Sequence, residues 1–394
     1  MRRLATTFLI PLVLLIGACD EEKPQKPVPY EPLKPKPIEA KRVEPLDVEN
    51  APQRTLKLGP SERFESCTEI AQKDERVIST LEWRENFQAW ALACDAEVAQ
   101  RGEDGRYYLA WMVSPNSANK DLRVAAWDKD GAYLWSFLLD RSREADGFLA
   151  NFRKSFVTEL GQKHVCAGTL YEGGTDAACV DWKSGEVEWS GRMPFWAGMA
   201  PQGVGGSLVV ADLSGISERY PYSGAEMRHR ALDASGGRSA LYASNDSHLF
   251  FSPPRTEEPR LIKYDLKTFE PLWMVPLEAD AAPGLGTVSS KHNLVIFKVA
   301  RDLVAMSTEN GNEVWRLEVG EDRPSIAEFE NGILVLNRHP ERNNSLIAIS
   351  GDGKLLWRAE VPAGILSVHT DSSTILLRSV RASQSILEIA EDSE

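Results

Sequence analysis

Four stretches of this chain place a Trp four residues after a Gly: Gly131 and Trp135, Gly185 and Trp189, Gly311 and Trp315, Gly353 and Trp357. Each stretch reads as a strand, a tight turn and a second strand. In Thr268–Trp273 a relaxed copy carries Phe269 where the Gly would stand, and in Ser223–Arg228 a degenerate copy carries Arg228 where the Trp would stand. Positions 135, 189, 228, 273, 315 and 357 therefore form a ruler with steps of roughly 40–50 residues. A repeat of that length with strand-turn-strand content constrains the chain to a stacked array of small sheets.

Around each mark the pattern is the same. An apolar strand, a short loop, a second apolar strand and the turn precede the Trp strand, as in Asn293–Val299, Leu303–Ser307 and Val314–Val319. A less regular strand comes before them, such as Ser325–Phe329. Four strands per unit is the content of a propeller blade. The expected fold is an all-β propeller of seven four-stranded blades, with eight the alternative. After Trp357 three strands remain, near 365–369, 374–378 and 385–389. The fourth is sought at the N-terminus, in Val77–Trp83, which would close the ring and remove exposed edges.

The chain opens with Arg2, Arg3 and an apolar run from Leu4 to Ile16, too short to span a bilayer and suited to an export signal. It ends in Ile16-Gly17-Ala18-Cys19, which resembles a bacterial lipobox, so that Cys19 becomes the lipidated first mature residue. Asp20 follows, and the choice between inner and outer membrane stays open. Residues 1–18 are thus a signal peptide. Residues 19–60 are expected to be a disordered tether: nine prolines fall between 20 and 60, and apolar residues follow neither period 2 nor period 3.6. Residues 61–75 are a short lead-in and 76–394 the propeller.

The chain has 58 acidic and 45 basic residues. Residues 61–394 hold 50 against 35, a net of −15. That lacks the basic footprint of a nucleic-acid binder and suits a soluble periplasmic surface. Besides Cys19 there are four Cys: Cys67, Cys94, Cys166 and Cys179. An even number in an exported chain points to two disulfides, with three pairings open. Cys166 and Cys179 flank a hairpin turning at Gly173-Gly174, which favours the local pairing with Cys67–Cys94 as its counterpart. No Cys-x-x-Cys spacing suggests a metal.

Leu303–Ser307 followed by Asn310–Trp315, and Cys179–Asp181 followed by Ser184–Trp189, resemble quinoprotein (PQQ-like) propeller repeats. The resemblance covers about residues 76–390. It implies that Trp83, Trp135, Trp189, Trp273, Trp315 and Trp357 are girdle residues packing between neighbouring blades. It also raises a PQQ-dependent dehydrogenase as an alternative, but no two Cys are adjacent and no Cys-x-x-Cys-His is present. Asp128, Asp181 and Asp265 stand where a turn needs a cap. His164, His248 and His292 precede second strands and read as turn residues. The expectation is a non-catalytic protein without cofactor or metal. Its architecture is distantly similar to the propeller lipoprotein of the outer-membrane β-barrel assembly machinery.

That resemblance implies a monomeric interaction scaffold facing the periplasm, with an envelope protein as partner and the membrane reached only through the lipid. A propeller that senses a peptide or glycan is a further alternative. Loops joining second and third strands carry Arg255, Arg260, Arg301, Arg338 with His339 and Arg342, and Arg378 with Arg381. Arg suits bidentate recognition of carboxylates or phosphates, so these positions are the candidate partner-binding residues.

Overall fold

A computed structural model describes residues 35–39, 41–56, 96–102, 104–113, 121–139, 152–171, 174–193, 201–204, 206–211, 215–231, 241–245, 247–252, 259–278, 286–319, 324–338, 343–371, 374–379 and 385–387. Its large compact unit begins at Pro35 and runs to Glu394. Among the described residues each sheet is built from antiparallel strands in sequence order, and one of them gains a parallel strand on its outer edge. The first holds β2 (Val98–Arg101), β3 (Tyr107–Met112), β4 (Leu122–Trp127) and β5 (Tyr133–Leu139). The second holds β6 (Phe152–Leu160), β7 (His164–Tyr171), β8 (Gly174–Asp181) and β9 (Val187–Met193). The third holds β10 (Gln202–Val204), β11 (Ser207–Ala211), β12 (Gly215–Arg219) and β13 (Glu226–Ala231).

The fourth holds β14 (Leu241–Ser244), β15 (His248–Ser252), β16 (Arg260–Asp265) and β17 (Pro271–Pro276). The fifth is β18 (Thr287–Ser289), β19 (Leu294–Val299), β20 (Asp302–Ser307) and β21 (Glu313–Glu318). The sixth is β22 (Ser325–Phe329), β23 (Gly332–Asn337), β24 (Asn344–Ser350) and β25 (Leu355–Val361). A last sheet of β26 (Ile365–Asp371), β27 (Thr374–Ser379) and β28 (Ser385–Leu387) follows. The fold is a β-propeller. The lead-in at 61–75 and the closing strand expected at Val77–Trp83 lie outside the described residues.

First strands of successive blades approach one another, β2 to β6, β6 to β10, β14 to β18 and β22 to β26, so they are the inner strands. Ser325 joins two of them: its Oγ accepts from the Val368 amide at 3.1 Å. Every ruler residue lies on a fourth, outer strand. Opposite each mark the third strand shifts register by one residue, between Ala126 and Trp127, Cys179 and Val180, Glu218 and Arg219, Lys263 and Tyr264, Ala305 and Met306, and Ala348 and Ile349. Such bulges increase strand twist, and their recurrence gives every blade the same outer edge.

The core is a series of layers between neighbouring blades. One layer joins Tyr108, Val124 and Trp135 of the first blade to Val165 and Val180 of the second. Another joins Trp273 and Val275 to Val295, Phe297 and Val304. A third joins Trp315 and Leu317 to Ile333, Val335 and Ile347. Each blade therefore buries both faces, and its second and third strands read as continuous apolar runs, such as the wholly buried β23.

The tether expectation needs correction over residues 35–39 and 41–56, which run along the outside of three blades. Strand β1 (Lys36–Pro37) pairs in parallel with β17 at Trp273 and Met274. The amides of Ile38, Leu46 and Arg54 then donate to the carbonyls of Met274, Arg316 and Arg358, each at 2.8 Å. Eight residues of this strap span one 42-residue repeat, because both series are evenly spaced. Ile38, Leu46 with Val48, and Leu56 each pack onto a different inter-blade layer. The prolines assist this: Pro37 and Pro45 directly precede the donors Ile38 and Leu46. Proline holds an extended backbone at low entropy cost and has no N–H to leave unpaired on the outside.

Candidate functional site

The repeat residues meet across the blade boundaries. A Cβ on Gly185 would lie 2.5 Å from the Trp135 ring of the preceding blade. A Cβ on Gly224 would overlap the Trp189 ring in the same way. Gly311 faces Trp273 and Val275, and Gly353 faces Trp315. Each of these glycines also has a positive φ, between 63° and 88°. The turn thus needs Gly for two reasons, its backbone conformation and the ring beside it. Trp135 Nε1 donates to the Trp182 carbonyl at 3.1 Å, and Trp273 Nε1 to the Thr308 carbonyl at 3.3 Å, again in the next blade's turn. Trp135, Trp273, Trp315 and Trp357 are buried and Trp189 is partly so. Trp83 lies outside the described residues.

At one boundary both motif residues change together. Arg228 lies over Phe269, with the guanidinium carbon 3.9 Å from the ring centroid. Phe269 is 1% exposed and keeps the positive φ of the Gly it replaces, 64°. Arg228 Nη2 donates to the Lys267 carbonyl at 2.6 Å and lies 3.0 Å from Glu218 Oε2. Glu218 is its cross-strand partner, where Ala126, Ala305 and Ala348 face Trp residues elsewhere. The ring has moved from the outer strand to the turn. No single stretch shows this exchange, since its halves lie in consecutive repeats.

The turn acids are committed to their own turns. Asp128 Oδ1 accepts from the amides of Asp130 and Ala132, both at 2.8 Å. Asp181 Oδ1 accepts from the Lys183 and Ser184 amides and from Ser184 Oγ. Bonds from Ser184 hold the Asp181 carboxyl below its usual range. Asp265 repeats this arrangement with Lys267 and Thr268. Burial pushes its carboxyl up, and the Thr268 and Lys267 bonds outweigh that and lower it. A carboxylate already accepting two or three such bonds is stabilised as the ion and is a poor proton acceptor.

Two of the histidines stand beside these acids. His164 faces Asp181 across β7 and β8, and its Nδ1 is 2.7 Å from Glu188 Oε2. His248 faces Asp265, and burial with the Lys263 charge lowers its pKa. His292 Nε2 lies 3.3 Å from the Phe329 carbonyl of the next blade. Among the described residues no group of three or more His, Cys, Asp or Glu is arranged to hold a metal.

Cys166 and Cys179 face each other directly on β7 and β8 and are bonded, with Cα atoms 4.0 Å apart. Cys19, Cys67 and Cys94 lie outside the described residues. Of the candidate arginines, Arg260 opens β16, Arg301 lies in the turn between β19 and β20, and Arg338 follows β23. All three sit where a second strand passes to a third, on the rim opposite the Asp turns. Each has an interaction partner of its own. Arg378 lies within β27, and Arg255, Arg342 and Arg381 fall outside the described residues.

Sequence reasoning missed the strap and its anchor. Arg316 binds Glu313 at 2.7 Å, Asp302 at 2.8 Å and Glu278 at 3.1 Å, and the strap's Arg42 reaches the same Glu278 at 3.0 Å. The Glu313 amide donates to the Lys41 carbonyl. The available signal was the eight-residue step between Pro37-Ile38 and Pro45-Leu46.

Comparison with known proteins agrees with this architecture. Residues 257–389 match the family model described as outer membrane protein assembly factor BamB. No curated protein matches the chain. Among solved structures, BamB from Moraxella catarrhalis aligns at 12% identity over 74% of this chain and 100% of that one, with a TM-score of 0.42. The Cps50 (Swd1) propeller of Myceliophteria thermophila aligns at 10% identity over 75% and 97%, with a TM-score of 0.49. A chain of the mitotic checkpoint complex aligns at 13% identity over 89% and 99%, with a TM-score of 0.50, a likeness of fold. The chain has a β-propeller fold, and its residues 257–389 are similar to the BamB family model.

Proposed function

We propose that this protein is a non-catalytic scaffold of the bacterial cell envelope, lipid-anchored through Cys19, whose propeller binds a protein partner. The observation that carries this reading is the match of residues 257–389 to an assembly-factor family model. The geometry supports it. The recurring Trp, Gly and Asp, the residues a sequence scan would first suspect of chemistry, are engaged in turns and inter-blade packing. Recognition then falls to the outer edges and to loops that do not repeat, including the rim carrying Arg260, Arg301 and Arg338.

In the sequence, fifteen residues lie between Cys19 and Pro35, where the strap begins. The experiment is site-specific photocrosslinking in native envelope from positions on the arginine rim. One stoichiometric protein adduct, weakened by reversing Arg338 and Arg342 to Glu, is expected. No adduct, or quinone-dependent oxidation of alcohols or sugars by the purified protein, would overturn the scaffold.

A further inference from the structure

We infer that the outer edge formed by β9 and β13 is a docking surface for an extended, proline-containing segment of a partner protein, paired parallel to these strands. This rests on the scaffold reading and names a surface and a partner class for it. The chain itself supplies the template. On β17, β21 and β25 the residue just after the ruler mark, Met274, Arg316 or Arg358, turns its carbonyl outward and accepts a strap amide. Arg358 also turns its amide outward, to the Pro52 carbonyl.

The same register and the same bulge recur in the second and third blades. Ser190 and His229 therefore occupy the equivalent positions, with backbone groups directed away from their own sheets. Among the described residues β9 pairs only with β8, and β13 only with β12. This edge continues from the strapped one, since β13 belongs to the blade next to β17.

Side chains around the edge suit an apolar, extended ligand. Val187 on β9 is 46% exposed, Met227 on β13 is 42% exposed, and Tyr222 in the turn before β13 is 56% exposed. Tyr222 packs on Tyr220 with centroids 5.1 Å apart, which holds its ring in place beside the strand. On the strapped β21, the residue aligned with Met227 is Val314, and it packs with Leu46 and Val48 into one layer. Met227 offers the same kind of contact, and among the described residues no strap residue packs over it. An unpaired strand edge bearing apolar side chains is a template for strand addition, in which main-chain bonds give affinity and side-chain contacts give register.

The test uses the full chain and a fluorescent synthetic peptide with the sequence of residues 35–56, the segment known to fit this type of edge. Saturable binding is expected, with slowed hydrogen exchange in β9 and β13. His229→Pro removes the outward amide while leaving the bonds to β12 in place, as proline does on an edge strand. It should weaken binding about fivefold to tenfold, the value of one hydrogen bond. Met227→Asp with Val187→Asp should do the same, and serves if His229→Pro unfolds the blade. Absence of binding, protection confined to β17, β21 and β25, or equal binding by both folded variants overturns the proposal. A partner crosslinked in envelope equally well by wild type and His229→Pro would also overturn this surface yet leave the scaffold standing.

Discussion

The guanidinium of Arg228 lies flat enough over Phe269 to bring its carbon within 3.9 Å of the ring centroid, across the boundary between two blades. Everywhere else along the described ring the aromatic belongs to the outer strand and the small residue to the next turn. Here the two have traded places, and Glu218 has joined to balance the charge.

The trade predicts coupling. Phe269→Gly alone should destabilise the fold by about 3–5 kcal/mol, the range for emptying a buried aromatic site. Arg228→Trp alone should also be costly, because two rings would compete for one space and Glu218 would lose its cation. The triple change Glu218→Ala, Arg228→Trp, Phe269→Gly restores the pattern of the other boundaries and should recover most of the loss. Denaturant unfolding of the three variants checks this, and simple additivity of the losses would refute it.

Glycine substitutions separate two demands made on the turn. Gly185→Ala meets both a φ of 71° and the Trp135 ring. Gly206→Ala meets a φ of 90° with nothing within 4 Å of the added carbon. The second should cost about 1–2 kcal/mol, the left-handed backbone alone. The first should cost clearly more, since overpacking adds ~1–3 kcal/mol. Thermal unfolding of both variants makes the comparison.

Breaking the strap should be a local event. Leu46→Pro removes the donor to the Arg316 carbonyl and should cost about 1 kcal/mol. Amide exchange should quicken at Glu313, whose partner is the Lys41 carbonyl, and at Arg358, whose partner is Pro52. Amides in β7 and β8 should be unaffected. Hydrogen exchange resolved by mass spectrometry reads all of these.

Stability should fall on mild acidification. Burial and the Arg378 charge hold His369 below the usual histidine range, and burial with Lys263 does the same for His248 against the opposing pull of Asp265. In both the unfolded chain takes up the proton more readily than the folded one. Their full contribution is therefore present above about pH 6.5, the unfolded value, and is lost as pH falls below it toward the depressed folded values. His369→Gln should flatten the pH profile of the unfolding midpoint between about pH 7.5 and 5.

The bond between Cys166 and Cys179 closes a 13-residue separation. Replacing both by Ala should cost roughly 3 kcal/mol, the chain-entropy value for a loop of this size. Urea unfolding of the doubly substituted chain against wild type measures it, and peptide mapping without reductant identifies the bonded pair.

The blade architecture was legible because Gly, Asp and Trp recur at fixed offsets, and each offset answers a local need: a left-handed turn, a cap, a packing ring. Arg228 and Phe269 looked like places where the pattern lapsed. Their relation joins residues 41 positions apart in different repeats, which no local period displays. The strap was hidden for a related reason. Its prolines and charges resemble those of a disordered linker, and its apolar residues answer to the width of a blade rather than to strand or helix periodicity. The arginine rim was readable only as a set of loop positions, since spacing along the chain does not say what a loop side chain meets.

Ile38, Leu46 and Arg54 engage Met274, Arg316 and Arg358 like teeth on a rack, eight strap residues to every 42 of the ring. Such gearing tolerates substitution but not a change of length. Deleting one residue between Ile38 and Leu46 would pull every later tooth out of mesh, so the strap should keep its count.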